Sequence, residues 1–194
     1  MHSAIFLSYP RGRTENGHML FGKGKKDFAF VAFYTVVFFF WREFLMNTAI
    51  RPLAKHCGMK GSKTSRFMEQ VYSALYFGLF GLFGLYVMKQ TDLWYFRTTP
   101  MFEGFPHREH IGVFKAFYLL EAGAWSQQVI VLLLQLEKPR KDFKEFVLHH
   151  VITLSLIFLS YRFHFANMGI AVYITHDVSD FFLAVCSSPG LISD

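Results

Sequence analysis

Apolar residues fall along this chain in runs of about 17–25, the length that crosses a bilayer as a helix. About five such runs are present: Phe28 to about Ile50, Val71 to Met88, about Phe114 to Leu136, Phe143 to about Tyr161, and about Phe165 to Cys186. Only the second is free of charged residues. The first holds Arg42 and Glu43, and the third holds Glu121, Gln127 and Gln128. Polar groups at membrane depth are expensive, so helices that carry them are expected to enclose a site rather than merely anchor a protein. The pattern predicts an all-α fold, a polytopic membrane helix bundle over residues 28–186 with about five transmembrane helices. A basic segment, 1–27, precedes it and a short tail, 187–194, follows. In the second run Ala74, Gly78, Gly81 and Gly84 recur three or four apart. That spacing predicts close helix packing through small residues, with a kink or lipid portal as the alternative.

Composition supports lipid as the solvent. The chain of 194 residues is 53% hydrophobic and 19% aromatic, with 25 phenylalanines and a mean hydropathy of +0.27. A single soluble core of this size cannot bury so much apolar surface. The net charge of +6 sits between the apolar runs rather than on one face, which argues for membrane flanks and against nucleic acid. Arg51–Met68 and Glu137–Glu145 are short, basic and on one side if every run crosses, which favours that side as cytosolic; the basic GKGKKD before the first run counts against this. Cys57 and Cys186 match no disulfide or metal pattern. The amino end is too short in its apolar part for a signal peptide. GHMLFGKG, residues 17–24, has the outline of a phosphate loop. Gly24 stands where Ser or Thr is required, and no strand is expected before it, so it reads as a flexible basic segment.

The polar residues of the last two runs carry the chemistry. The fourth supplies His149, His150 and Thr153, whose hydroxyl is spaced to share a helix face with either ring. The fifth contains THDVSD, with His176, Asp177, Ser179 and Asp180. If the two runs form a hairpin turning near Phe163–Phe165, His149 lies level with a residue between 177 and 181, roughly 20 Å from the turn. A histidine held by a carboxylate is a general base or an acyl-accepting nucleophile. Two other readings stay open: cross-helix hydrogen bonding with the aspartates paired to Arg42 or Arg162, and iron or zinc ligation. The spaced histidine boxes of membrane di-iron enzymes are absent, so no metal is expected.

The segment HHVITLSLIFLSYRFHFANMGIAVYITHDVSDFFLA resembles the longevity-assurance motif of ceramide synthases, whose membrane domain is shared with translocating-chain-associating proteins. SKTSRFMEQVYSALYFG, FGLYVMKQTDLWYF and WSQQVIVLLLQLEKPRKDFKEFVLHH resemble the fungal branch, and the likeness runs from about Tyr9 to about Val185. The resemblance implies transfer of a fatty acyl group from acyl-CoA to the amine of dihydrosphingosine or phytosphingosine, in a multi-pass protein of the endoplasmic reticulum membrane. No cofactor is implied, acyl-CoA being a substrate. Homo- or hetero-oligomers with related synthase subunits are implied as partners. The family's catalytic residues carry over to His149, His150, Asp177 and Asp180, with His176 and Thr153 in support. Lys138, Arg140, Lys141 and Lys144 are expected to meet the acyl-CoA phosphates, or else to snorkel at the interface. The animal pattern places Asn at His164, which is therefore not taken as catalytic. Family members have further spans before LSYP and after HDxxD, and CSSPGLISD does not resemble the usual continuation. A chain shortened at both ends is expected on that basis. The alternatives are a non-catalytic lipid-binding or translocation-associated relative, or an inactive fragment.

Overall fold

The computed structural model describes residues 2–14, 17–134 and 143–188. Among the described residues five helices are long and apolar enough to cross a membrane: Lys26–His56, Ser62–Gln90, Gly112–Leu133, Phe143–Arg162 and Ala166–Cys186. In chain order the elements are α1 (His2–Ile5), β1 (Pro10–Arg13), β2 (Met19–Phe21) and α2 (Lys26–Leu45). A π-helical turn (Met46–Ile50) leads into α3 (Arg51–His56), followed by α4 (Ser62–Gln90), α5 (Thr99–Phe102), β3 (His110–Ile111), α6 (Gly112–Leu133), α7 (Phe143–Arg162) and α8 (Ala166–Cys186).

Two expectations are corrected. The basic loop expected over Arg51–Met68 shrinks to residues 57–61, because helix continues to His56 and resumes at Ser62. Arg51, Lys55, Lys63 and Arg66 ride on those helix ends, where long basic side chains reach water without the backbone leaving the helix. The amino-terminal segment is not simply a flexible basic arm. Gly17–Gly24 contains β2, which pairs antiparallel with β1 and with β3, Leu20 opposite Ile111 and Phe21 opposite His110. The bundle is thus helical with one small three-stranded sheet at one end.

α6 is the most enclosed helix, with Phe114, Phe117, Tyr118 and Trp125 almost fully buried. α4 lies along α8 through its small residues. A Cβ on Gly84 would stand 2.5 Å from Ile174, and one on Gly81 would stand 3.8 Å from the Asp177 Cβ. The expected close packing is therefore the contact that brings Asp177 against α4. α7 and α8 form the expected hairpin. Phe165 N–H reaches the Ser160 carbonyl across the turn at 2.9 Å, while His164 takes a left-handed φ of 67°. Asn and His tolerate that region better than most residues.

The sheet end is fastened by buried charge. Lys115 Nζ lies 2.7 Å from the Asp27 carboxylate and donates to the Ser8 and Gly22 carbonyls. Asp27 also accepts from the Gly24 N–H and the Tyr161 hydroxyl. Lys23 donates to the Tyr161 carbonyl at 3.1 Å. Burial, with the neighbouring Lys115 charge, lowers the Lys23 pKa to about 8. His110 is buried, stacked on Phe114 with ring centroids 4.5 Å apart. Burial, with Lys23, His107, His164 and Lys115 around it, pushes its pKa down to about 2.

Candidate active site

At the other end of the hairpin the two polar runs meet. His149 and His176 face each other with ring centroids 6.0 Å apart, and the charges acting on Asp180 are those of His149 and His176. Asp180, His149 and His176 are all half-buried. His176 Nδ1 lies 2.8 Å from the Val172 carbonyl and must donate to it, which leaves Nε2 as the basic nitrogen.

His150 has a different setting. It is buried, 5.1 Å from the Trp125 ring and 4.3 Å from the Phe146 ring. Its Nδ1 is 3.0 Å from the Phe146 carbonyl, so this nitrogen carries hydrogen. Nε2 lies 3.3 Å from Gln128 Oε1. With Nδ1 carrying the hydrogen, a neutral ring can only accept at Nε2, so the pairing requires the Gln128 amide to be turned over to present its NH₂. His150 is thereby engaged at both ring nitrogens, whereas His149 is half-buried. Thr153 does not bond to either ring: its hydroxyl donates to the His149 backbone carbonyl at 2.9 Å.

The two aspartates also part company. Asp177 is fully buried and turns toward α6 and α4, where Glu121 lies within hydrogen-bonding reach. Glu121, also fully buried, accepts from the Tyr76 hydroxyl at 3.0 Å. Glu121 and Gln128 were visible in sequence only as polar residues inside an apolar run; Tyr76 and Trp125 carried no separate signal of proximity to the histidines. Of the expected phosphate-binding residues, Lys138, Arg140 and Lys141 lie outside the described residues. Lys144 is exposed in the first turn of α7. Among the described residues no group of three His, Cys, Asp or Glu side chains is arranged to hold a metal ion.

A bundle of several helices of membrane-spanning length and apolar composition is that of a multi-pass membrane protein. The TLC domain family matches residues 66–188, and the chain belongs to that family. It is 54% identical to the sphingosine N-acyltransferase lac1 of Schizosaccharomyces pombe, over 93% of this chain and 47% of that protein. It is 50% identical to the sphingosine N-acyltransferase-like protein FUM17 of Gibberella moniliformis, over 97% of this chain and 50% of the relative. The ceramide synthase LAG1 of Saccharomyces cerevisiae is 48% identical over 95% of this chain and 44% of its own length. The chain spans about half the length of these curated relatives.

Proposed function

We propose that this chain carries the site of a sphingoid base N-acyltransferase, joining a fatty acyl group from acyl-CoA to the amine of a long-chain base in the endoplasmic reticulum membrane. The observation that carries the reading is the half-buried His149–His176–Asp180 cluster, in a chain similar to named sphingosine N-acyltransferases. His149 is the reacting histidine, because its ring is the accessible one of the pair, while His150 is fixed by Phe146 and Gln128.

In the reaction the amine nitrogen bonds to the thioester carbonyl carbon, the carbon–sulfur bond breaks, and the amine proton ends on the departing sulfur. His149 either carries that proton or first takes the acyl group itself and passes it to the amine. Asp180 stabilises the imidazolium formed on either route. Lys144 stands about 8 Å along the helix axis from His149, and this exposed lysine is the described residue suited to meet an acyl-CoA phosphate. The acyl chain enters between α7 and α8.

Membranes containing the protein, given labelled sphingoid base and acyl-CoA, test this directly. His149→Ala and Asp180→Asn are expected to lower ceramide formation by about 10²-fold or more, the scale of a lost acid–base group. Undiminished ceramide formation in both variants overturns the proposal.

A further inference from the structure

The HDVSD segment offers two carboxyl groups three residues apart, and the structure gives them opposite surroundings. Asp180 faces the histidines. Asp177 is wedged against α4 beside Gly81, fully buried, with Glu121 in reach. No donor among the described residues reaches either Asp177 oxygen or Glu121 Oε1.

Two ionised carboxylates can only accept hydrogen bonds, so they cannot pair with each other; a buried carboxyl pair holds together when one of them carries a proton. The donor inventory says which. Glu121 Oε2 receives the Tyr76 hydroxyl at 3.0 Å, and the Trp125 indole, one turn along α6, is also within reach of Glu121. Donors of that kind favour the ionised form of their acceptor. Asp177 receives none. A proton on Asp177, donated to Glu121 Oε1, gives the orphaned oxygen of Glu121 its partner and removes a second buried charge.

We propose that Glu121 is a positioning residue that holds Asp177 as a neutral, hydrogen-bond-donating acid, leaving Asp180 as the ionised carboxylate that serves His149 and His176. The pairing ties α8 to α6 and α4 at the level of the site. The protonation of Asp177 stands on packing and donor count, and only its catalytic consequence rests on the acyl-transfer reading. The nearby ionisable groups are Asp180 and Tyr95, with Tyr173 beside Glu121. None of these is bonded to the orphaned oxygens.

Infrared difference spectroscopy on the purified protein at mildly alkaline pH, where exposed carboxyls are ionised, reads the proton without substrate. The carbonyl-stretch band of a protonated carboxyl is expected in the wild type. It should vanish in Asp177→Asn, persist in Asp180→Asn, and persist with a shifted frequency in Glu121→Gln. The last variant keeps the assignment decidable even where Asp177→Asn fails to fold. A wild type without the band, a band that survives Asp177→Asn, or one abolished by Glu121→Gln overturns the proposal.

Acyl transfer supplies the second reading. Asp177→Asn, whose amide still donates to Glu121, is expected to lose less activity than Asp180→Asn, which loses about 10²-fold or more. Equal loss in the two folded variants refutes the division of labour between the aspartates. Absence of turnover in the wild type refutes acyl transfer and leaves the infrared result to decide the proton.

Discussion

Acidification should loosen the sheet end of this protein, and His110 is the group that sets the size of the effect. In the unfolded chain its imidazole takes a proton near pH 6.5, whereas in the fold the value is about 2. The unfolded state therefore binds the extra proton throughout that window, and stability falls as the pH drops below 6.5. At about pH 5 the unfolded chain is favoured by a factor of roughly 30, or about 2 kcal/mol, while the folded ring is still neutral. The low folded value has a structural source. His110 is enclosed against Phe114, its Nε2 finds no partner among the described residues, and the surrounding Lys23, Lys115, His107 and His164 repel a positive charge. His110→Phe keeps the stack on Phe114 and removes the titration. Melting of detergent-solubilised protein, followed by intrinsic fluorescence at about pH 7.5 and about pH 5, gives the comparison. A difference of about 2 kcal/mol corresponds to about 4–8 °C in a chain of this size. The wild-type midpoint should drop by that much more than the variant's. An equal drop in the two proteins would show that His110 is protonated in the fold, and the reasoning would fail.

Two further outcomes follow from packing and from buried charge. Gly84→Ala places a methyl 2.5 Å from Ile174 and should cost about 1–3 kcal/mol. Gly81→Ala, whose nearest neighbour is 3.7 Å away, should be tolerated, and the difference in midpoint between the two variants checks the α4–α8 contact. Lys115→Met leaves the Asp27 carboxylate without its buried cation and should cost about 3–5 kcal/mol in denaturant titration, with Asp27→Asn in the same chain restoring part of the loss.

The long features of the fold were legible because each rests on a run of like residues. The five spans, the turn at Phe163–Phe165 and the small-residue stripe of α4 all follow from local composition. The approach of His149 to the HDVSD helix followed from counting along a hairpin. What sequence could not resolve depends on helix rotation. Asp177 and Asp180 share a face by spacing, yet a modest angle sends Asp177 to Glu121 and Asp180 to the histidines. Tyr76 and Gln128 come from other helices; Gln128 stands out as a polar residue in an apolar run, yet nothing along the chain marks its partner or the level of Tyr76. The sheet escaped for another reason. Its strands are two to four residues long, and the β2–β3 pairing joins residues about ninety positions apart.

The fastening at Tyr161 has a mechanical consequence. Asp27 and Lys23 grip the last turn of α7 from outside, and the Tyr118–Ser160–Tyr173 hydroxyl cluster links α6, α7 and α8 just beyond it. The hairpin is thus clamped like a pair of tweezers at its closed end, with the reacting side chains out near the tips. Over a lever of roughly 20 Å, a tilt of about 5° between the arms changes the separation at His149 by about 2 Å. That is enough to make or break a hydrogen bond. Residues such as Asp27 and Tyr161, at the closed end of the hairpin, are therefore placed to set the gap between His149 and His176.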